Sequence, residues 1–290
     1  MKILVTGGSG FLGSHVADAL SKKGHQVIIF DKKKSPWKRL DQKLCIGNIV
    51  DSNALERVIK KVDAIYHFAG LANLDMAIKE PLKSVNYNIL GTVKTLELAR
   101  KYNIKRFIHA STIYVNSKEG GFYRCSKKAA EEYVEEYSKT FKMNYTILRF
   151  GSLYGPRADS RYGMTKIVKN AIFTGKVVYD GTKNSVREYI HVYDAARACV
   201  DVLNKKYNNK HIIITGKRKI KLKSFLNNLC GKLNIKNKIE YQNKKQVGHY
   251  TVTPFTFKPK KGEKFFLKSN IDFYKGLTQL INELKKENRR

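Results

Sequence analysis

The first half of the chain alternates short apolar runs with longer stretches in which apolar residues recur at helical spacing. The apolar runs predict strands at Lys2–Thr6, Gln26–Asp31, Ala64–Phe68, Arg106–Ala110 and Thr146–Phe150. The periodic stretches predict helices at Leu12–Lys22, Asn53–Lys60, Asn88–Tyr102 and Tyr123–Phe141. Strands and helices that alternate at this spacing form βαβ units, so we predict an α/β fold built on a doubly wound parallel sheet. Ligands of such sheets bind beyond the carboxyl ends of the strands.

The alternation breaks down in the second half, where glycines and shorter elements take over. Later elements are predicted at Val177–Tyr179 (strand), His211–Thr215 (strand) and Phe273–Glu287 (C-terminal helix). Because no long linker separates the two parts, we predict that they are interleaved. The first domain is predicted over residues 1–151 and a smaller lobe over residues 152–290, with part of 187–215 returning to the large sheet. Lys258–Lys261 is predicted to be an exposed loop.

Composition narrows the class of protein. The chain has 290 residues, of which 42% are hydrophobic, with 17 Tyr and 14 Phe, enough to bury a sizeable core. No apolar run approaches the roughly 18 residues of a membrane-spanning helix, and the N-terminus lacks the pattern of a signal peptide. The four cysteines are far apart and form no CxxC pair; they are Cys45, Cys125, Cys199 and Cys230. We therefore predict a soluble cytoplasmic protein without a metal site.

Charge is the unusual global feature. Lys and Arg number 57 against 24 Asp and Glu, a formal net charge of +33. Such an excess attracts polyanions, so nucleic acid is considered as a partner. The lysines are spread along the whole chain and lack interleaved base-stacking aromatics, which favours a solvated basic surface instead. A positive field also suits a substrate that carries phosphate.

A glycine-rich turn follows the first predicted strand. Gly7, Gly10 and Gly13 have a GxxGxxG spacing between that strand and a helix. Residues without a Cβ let backbone N–H groups approach a pyrophosphate at the helix N-terminus, so we predict a dinucleotide site here. Asp31, which ends the next strand, is placed to accept both adenosine ribose hydroxyls, which favours NAD over NADP. Lys32–Lys34 leave NADP open, because a lysine would neutralise a 2′-phosphate.

A tyrosine and a lysine at helical spacing are the candidate catalytic groups. Tyr123 and Lys127 are separated by one helical turn, so they share a face. An ammonium beside a phenol lowers a pKa that is otherwise about 10, which produces a base that works near neutrality. Thr112 follows the strand that precedes this helix, and its hydroxyl is placed to reach the same substrate oxygen.

Together these features resemble an extended short-chain dehydrogenase/reductase of the NAD-dependent nucleotide-sugar epimerase/dehydratase family, over nearly the whole chain. The segments that carry the resemblance are Thr6–Gly13 (TGGSGFLG), Asp31, Gly47–Asp51, His67–Gly70, Asn88–Thr92, Leu148–Arg157 and Arg187–Val192. The resemblance implies a Rossmann-type NAD-binding domain followed by a substrate-binding lobe. It also implies a homodimer that packs the helices at Asn88–Tyr102 and Tyr123–Phe141 against their copies.

The resemblance assigns roles to individual residues. The implied cofactor-binding residues are Gly7, Gly10, Phe11, Leu12, Gly13, Asp31, Asn48, Ile49, Phe68, Ala69, Gly70, Asn88, Tyr123 and Lys127. The implied substrate-binding residues are Thr112, Ser152 and Arg187, with Arg187 on the diphosphate. Tyr123 as phenolate would take the proton of a sugar hydroxyl, Lys127 would hold the nicotinamide ribose, and Thr112 would hydrogen-bond the reacting oxygen.

The resemblance implies an NAD-dependent epimerase of a nucleotide-diphosphate sugar, similar to UDP-glucose 4-epimerase, with a keto-sugar intermediate. Ile113 and Tyr114 stand where the family's dehydratases carry Asp-Glu, which disfavours a dehydratase, and a decarboxylase likewise. Ser152 stands where many epimerases have Asn, so the nucleotide base stays open. An NAD(P)-dependent nucleotide-sugar dehydrogenase or ketoreductase is the alternative. A non-catalytic relative that binds nucleic acid or a protein partner is the second alternative.

Overall fold

The computed structural model of the protein describes residues 1–236, 239–242, 251–252 and 263–287. The strands are β1 Lys2–Thr6, β2 Gln26–Asp31, β3 Lys43–Ile46, β4 Ala64–His67, β5 Arg106–Thr112, β6 Asn144–Phe150, β7 Ser152–Tyr154, β8 Val178–Tyr179, β9 Val186–Arg187, β10 Tyr189–His191, β11 Lys210–Ile214, β12 Ile220–Lys221, β13 Glu240–Tyr241 and β14 Glu263–Phe265. The α-helices are α1 Phe11–Lys22, α2 Ser52–Ile59, α3 Leu74–Lys79, α4 Pro81–Ser84, α5 Gly91–Lys101, α6 Gly121–Phe141, α7 Gly163–Thr174, α8 Val192–Asp201, α9 Leu222–Leu233 and α10 Phe273–Glu287.

The centre of the fold is an eight-stranded sheet in the order β14-β11-β6-β5-β4-β1-β2-β3. Every pair of neighbouring strands in it is parallel. The strand order reverses between β1 and β4, and a crevice for a ligand opens at such a reversal, beyond the carboxyl ends of the strands. The predicted doubly wound, Rossmann-type sheet is therefore confirmed.

Alternation along each strand buries both faces of the sheet. Ile3 and Val5 on β1 pack in a cluster with Val16 of α1, whereas Leu4 between them joins a second cluster with Leu55 of α2. Both clusters consist of side chains that are almost completely buried. This explains why the strands have continuous apolar sequences, as is usual for parallel strands covered by helices on both sides.

A third apolar cluster lies apart from the sheet and holds the later elements together. Tyr154, Val168, Phe225 and Leu277 pack there, so α7, α9 and α10 share one core. Small two-stranded sheets, β7 with β10, β8 with β13 and β9 with β12, accompany these helices. The chain also returns to the large sheet, which contains β11 and β14.

Element boundaries differ from the predicted ones where hydrogen bonding continues past the apolar run. Strand β5 extends to Thr112. The first residues of the helix predicted from Asn88 belong to a π-helical segment, Val85–Leu90, and the α-helix begins at Gly91. The sequence pattern missed β3, because its side chains are only partly buried. The predicted loop Lys258–Lys261 lies outside the described residues. The division at residues 151 and 152 stays a prediction. Within the described part of the chain, no helix is long and apolar enough to cross a membrane.

Candidate functional site

The glycine-rich turn joins β1 to α1 through contacts that leave no room for side chains. Gly7 has φ +72°, and a Cβ there would lie 2.6 Å from the backbone nitrogen of Ala69. A Cβ on Gly13 would lie 2.3 Å from the carbonyl oxygen of Gly7. Phe11 and Leu12 begin the helix directly after the turn, and Phe11 is buried. The absence of Cβ atoms thus brings the helix N-terminus onto the ends of two neighbouring strands, the geometry that binds a pyrophosphate.

Asp31 lies beside this turn at the carboxyl end of β2. Its Oδ2 accepts a hydrogen bond from the backbone N–H of Ser9 at 3.0 Å, and its Oδ1 accepts one from the backbone N–H of Lys33 at 3.1 Å. The side chain is half-buried. Each oxygen of an ionised carboxylate accepts more than one hydrogen bond, so Asp31 retains capacity for ribose hydroxyls.

A hydrogen-bonded chain crosses the ends of β1 and β4. The Thr92 hydroxyl donates to the carbonyl of Asn88 at 2.6 Å, so it accepts from Nε2 of His67 at 3.1 Å. Nδ1 of His67 then accepts from the Thr6 hydroxyl at 3.0 Å, and Thr6 accepts from the backbone N–H of Ala69 at 3.2 Å. Burial lowers the pKa of His67 to about 3, which agrees with this neutral imidazole. His67 thus fixes the Phe68–Gly70 segment rather than reacting.

Asn88 ties the same segment to the helix of the candidate catalytic residues. Its Oδ1 accepts from the backbone N–H of Leu71 at 2.6 Å, and its Nδ2 donates to the Leu71 carbonyl at 3.0 Å and to the Ser126 hydroxyl at 2.9 Å. A Cβ on Gly70 would lie 2.5 Å from Oδ1 of Asn88. Asn88 is itself buried, so in this structure it positions the neighbouring segments.

Asn48 and Ile49 follow β3 on the same edge of the sheet. Ile49 is buried and lies against Gly91, where a Cβ would approach Cγ2 of Ile49 to 3.0 Å. Oδ1 of Asn48 accepts from the backbone N–H of Val50 at 3.3 Å, which closes a local turn. These residues shape the wall beyond β2 and β3.

Thr112 and Tyr123 meet at the carboxyl end of β5. The Thr112 hydroxyl interacts with the Tyr123 phenol and lowers its pKa, and it accepts a hydrogen bond from the backbone N–H of Tyr114 at 3.3 Å. The ring of Tyr114 stands edge-on to that of Tyr123, with centroids 6.4 Å apart. The structure therefore brings together the two hydroxyl groups that the sequence paired.

Lys127 is a buried ammonium, only 7% exposed. The hydrogen bonds among the described residues include none from its side chain, although Glu131 raises its pKa electrostatically. Burial has the larger effect and lowers the pKa of Lys127 to about 8. A buried cation without a hydrogen-bond acceptor is costly, so the site favours a ligand that brings acceptor oxygens to this position.

The expected effect of Lys127 on Tyr123 is wrong for this structure. Burial raises the pKa of Tyr123, and the hydrogen bond from Thr112 opposes that rise. Tyr162 acts electrostatically on Tyr123, whereas Glu131 acts on Lys127. The reason is that both side chains lose solvation on burial, which disfavours the charged form of each.

Ser152 and Arg187 belong to the smaller lobe, on β7 and β9. Nη1 of Arg187 donates to the carbonyls of Thr251 at 2.7 Å and Val186 at 3.1 Å. The guanidinium is half-exposed, and its planar fork carries further N–H donors. The roles of Ser152 and Arg187 toward the substrate stay predictions.

Tyr162 is a candidate site residue that sequence reasoning missed. Its ring packs edge-on against Phe11 with centroids 4.6 Å apart, and its phenol interacts electrostatically with Tyr123. Burial raises the pKa of Tyr162 to about 12, so the phenol is protonated at neutral pH. Its position depends on the loop before α7 folding back over α1, a long-range contact that no local pattern records.

These residues fit a dinucleotide. The Gly7–Gly13 turn lets a ligand approach the N-terminus of α1 closely, and Asp31 provides a carboxylate for hydroxyl groups. The buried Lys127 provides an ammonium that lacks a hydrogen-bond acceptor among the described residues. No group of three or more His, Cys, Asp or Glu residues suited to a metal occurs in the described part of the chain.

Comparison with known proteins agrees with this geometry. The sequence model of the NAD-dependent epimerase/dehydratase family matches residues 3–215. A putative UDP-glucose 4-epimerase of Methanocaldococcus jannaschii is 28% identical, with 99% of both sequences covered. A dTDP-D-glucose 4,6-dehydratase of Dictyostelium discoideum is 32% identical over 70% of this chain, which spans 56% of that protein. The crystal structure of a UDP-glucose 4-epimerase from Thermotoga maritima, with UDP-glucose, superposes with a TM-score of 0.86 at 25% identity, covering 99% of this chain and all of that one.

Proposed function

Because the chain belongs to the NAD-dependent epimerase/dehydratase family, we propose that it is an NAD-dependent epimerase of a nucleotide-diphosphate sugar, similar to UDP-glucose 4-epimerase. The observation that carries the proposal is the meeting of Thr112 and Tyr123 at the carboxyl end of β5, where Thr112 lowers the pKa of Tyr123, with the buried Lys127 one helical turn further on. Two proteins match along nearly the whole chain: the Methanocaldococcus jannaschii relative, named a putative UDP-glucose 4-epimerase, and the Thermotoga maritima structure, named a UDP-glucose 4-epimerase. UDP-glucose is therefore the first substrate to test.

NAD would be held along the reversal between β1 and β4. We assign its pyrophosphate to the Gly7–Gly13 turn, its adenosine ribose to Asp31 and its nicotinamide ribose to Lys127. Phe68, Ala69 and Gly70 would line the pyrophosphate, and Asn48 and Ile49 the adenine. When bound there, NAD would supply the hydride acceptor and donor that inversion at one carbon of the sugar requires.

Tyr123 would exchange a proton with the sugar hydroxyl on the carbon that loses the hydride. As a phenolate it removes that proton, and as a phenol it gives the proton back when the keto sugar is reduced. Burial opposes the phenolate of Tyr123, and the interaction with the Thr112 hydroxyl favours it. The Thr112 hydroxyl would hold the reacting oxygen close to Tyr123.

The residues at the end of β5 argue against a dehydratase activity for this chain, the activity named for the Dictyostelium discoideum relative. Ile113 is buried against Ile213, and Tyr114 stacks edge-on with Tyr123. A 4,6-dehydratase moves further protons and needs acid–base groups next to the hydroxyl residue. An aliphatic side chain offers none, and a phenol is a weak acid at neutral pH.

The smaller lobe would bind the nucleotide-diphosphate half of the substrate. Arg187 is suited to a diphosphate because a guanidinium donates two parallel hydrogen bonds to one phosphate. Ser152 would face the nucleotide base. A basic surface of +33 net charge would also draw a doubly phosphorylated substrate toward the site.

We infer further that the enzyme is a homodimer that packs α5 and α6 against their copies. Tyr137 on α6 donates to Glu97 on α5 at 2.5 Å, so the two helices form one surface. That surface exposes Tyr133 and Phe141 by 46% and 43%, and Leu90, which directly precedes α5, is 42% exposed. Exposed apolar side chains on adjoining helices suit a self-complementary contact.

The four cysteines are free, which supports a place in the reducing cytoplasm.

Turnover of a sugar panel tests the proposal. The purified protein, supplied with NAD, is incubated with UDP-, dTDP-, GDP- and CDP-sugars, and the products are followed by proton NMR. We expect one sugar to interconvert with its epimer without net NADH. Net NADH formation would establish the dehydrogenase alternative. Failure of every sugar to react, with NAD bound, would overturn the epimerase assignment.

A further inference from the structure

A buried carboxylate lies one helical turn beyond Lys127, on the same face of α6. Glu131 is 3% exposed and no sequence motif singled it out. We propose that Glu131 is a positioning residue for the reaction: it fixes the end of β5 that carries Thr112 and compensates the buried charge of Lys127. The proposal rests on the function proposed above, since that function gives Thr112 and Lys127 their roles.

Glu131 is held by hydrogen bonds from both neighbouring strands. Its Oε1 accepts from the Ser111 hydroxyl at 2.5 Å and from Nε of Arg149 at 3.1 Å. Its Oε2 accepts from Nη2 of Arg149 at 2.6 Å. Ser111 and Arg149 face each other in the register of β5 and β6. One carboxylate on α6 therefore joins the helix to both strands.

These contacts bear directly on the reacting groups. Ser111 immediately precedes Thr112, and side chains alternate along a strand, so restraining Ser111 fixes the direction of the Thr112 side chain. Tyr123 and Glu131 lie on the same helix, two turns apart. The hydrogen bond from Ser111 to Glu131 thus sets the separation of β5 from α6, and with it the approach of Thr112 to Tyr123. Small displacements of such groups reduce turnover strongly.

The charges around Lys127 give Glu131 its second role. His67 on β4 and His109 on β5 interact electrostatically with Lys127. Burial lowers the pKa of both histidines, and Lys127 lowers it further, so both imidazoles are neutral. On α6, Tyr123 is protonated and Glu131 raises the pKa of Lys127. On β6, the guanidinium of Arg149 is paired with Glu131. Beyond that pair, His211 on β11 lies 3.8 Å from Oε2 of Glu131 and binds Glu135 at 2.7 Å.

Glu131 is therefore the acidic group that acts on two buried cations, Lys127 and Arg149. If it were only a tie between helix and sheet, removing one hydrogen bond would lower stability and leave the ionisation of Lys127 and the rate unchanged. If it positions the reacting groups, turnover and the Lys127 titration both respond. The two roles are separable by experiment.

The first experiment removes the bond to β5 and keeps the charge pair. We expect Ser111→Ala to lower kcat about tenfold or more with KM and NAD affinity nearly unchanged, and Ser111→Thr, which keeps the hydroxyl, to restore it. Ser21→Ala is the matched control, because Ser21 is a buried serine that accepts from Gln42 at 3.1 Å at the far end of α1. An unchanged kcat in Ser111→Ala would refute the positioning role.

The second experiment measures the charge effect without any substrate. Lysine labelled with 13C at Cε is titrated by NMR, and the Lys127 signal is identified by its loss in Lys127→Met. We expect Glu131→Gln to lower the Lys127 midpoint by about one pH unit or more from its value near 8. An unmoved midpoint in folded Glu131→Gln would refute the charge role. Should Glu131→Gln not fold, the Ser111 variants still decide the positioning role.

This titration also keeps the two proposals apart. If the wild-type protein turns over no sugar but the Lys127 midpoint shifts, the function fails and the electrostatic part of the Glu131 role stands. If sugars react and neither kcat nor the midpoint responds, the function stands and the Glu131 role fails.

Discussion

The carboxylate of Asp31 accepts a hydrogen bond from the backbone N–H of Ser9 at 3.0 Å, so the acid that ends β2 is attached to the turn that follows β1. The same turn also binds the segment that follows Asp31, because the Ser9 hydroxyl donates a hydrogen bond to the carbonyl of Lys33 at 2.9 Å. A ribose hydroxyl and a pyrophosphate would consequently meet one rigid surface. The selection of NAD over NADP at this site would therefore follow from the negative charge of Asp31, which these hydrogen bonds hold in position.

We expect Asp31→Ala to weaken NAD binding about 10- to 100-fold, because hydrogen bonds to a charged group contribute about 1.5–3 kcal/mol. NADP binding should suffer less, since loss of the carboxylate removes repulsion of the 2′-phosphate while Lys32 and Lys33 remain. Calorimetric titration with each dinucleotide measures both affinities. Asp63→Ala is the control, as Asp63 also accepts from a backbone N–H, that of Lys2 at 2.7 Å, but at the opposite end of the sheet. An unchanged preference for NAD would contradict the assignment of Asp31.

Tyr123→Phe should reduce epimerase turnover by about 10²- to 10⁴-fold, the usual contribution of a general base. Loss of one hydroxyl leaves the ring and the cofactor turn intact, so NAD binding should survive. The rate is measured by NMR on the reacting sugar, and bound NAD is quantified after denaturation. Tyr133→Phe, an exposed tyrosine on the same helix, provides the comparison. Full turnover by Tyr123→Phe would remove this residue from the mechanism.

Lys127→Met should stabilise the fold by about 3 kcal/mol at pH 7 while abolishing activity. Burial lowers the pKa of Lys127 from 10.5 to about 8, and each unit corresponds to about 1.4 kcal/mol. Below pH 8 the folded wild-type protein holds a buried ammonium, which costs stability. Between pH 8 and 10.5 the unfolded chain binds more protons at Lys127 than the folded protein does, so wild-type stability rises with pH through that window. Urea unfolding of both proteins at pH 7 and pH 10, without dinucleotide, gives the difference. A variant that is destabilised at pH 7 would show that the attraction of Glu131 outweighs the burial cost of the Lys127 ammonium.

Acid should unfold the protein through buried histidines. Burial lowers the pKa of His15 to about 4, of His191 to about 4 and of His67 to about 3, against an ordinary value of 6.5. The unfolded chain takes up these protons as pH falls below 6.5, while the folded protein resists until about pH 4, so stability is lost in that range. We expect the free energy of unfolding to drop by about 6 kcal/mol between pH 7.5 and pH 5. Urea unfolding across this range measures it, and a drop smaller than about 2 kcal/mol would mean that these imidazoles are accessible to solvent.

Tyr133→Glu should convert the inferred dimer to a monomer, because the contact would bury two carboxylates without partners. Sedimentation velocity at several concentrations reports the change. Glu132→Lys, a charge change on the adjacent residue of α6, tests whether the effect is specific to the apolar side chain. A wild-type protein that sediments as a monomer at all concentrations would rule out the homodimer.

Much of the sheet follows from the sequence because its signals are local. Strands β1 and β2 begin and end where the apolar runs do, and α10 matches its periodic segment along its full length. Parallel strands covered on both faces need continuous apolar residues, and a short turn between strand and helix needs glycine. Part of the candidate site could be predicted from the sequence for the same reason. It comprises the Gly7–Gly13 turn, Asp31 and the pair of Tyr123 and Lys127, each of which depends on spacing within one or two elements.

The sequence by itself determined the alternating architecture, the cofactor turn and the spacing that aligns Tyr123 with Lys127, all of which arise from chain geometry over a few residues. Only the tertiary structure decided that Tyr162 packs on Phe11, that Glu131 is bound by β5 and β6 at once, and that burial sets the ionisation of Tyr123 and Lys127. Desolvation and long-range hydrogen bonds depend on which distant segments enclose a group, and no local pattern of residues contains that information.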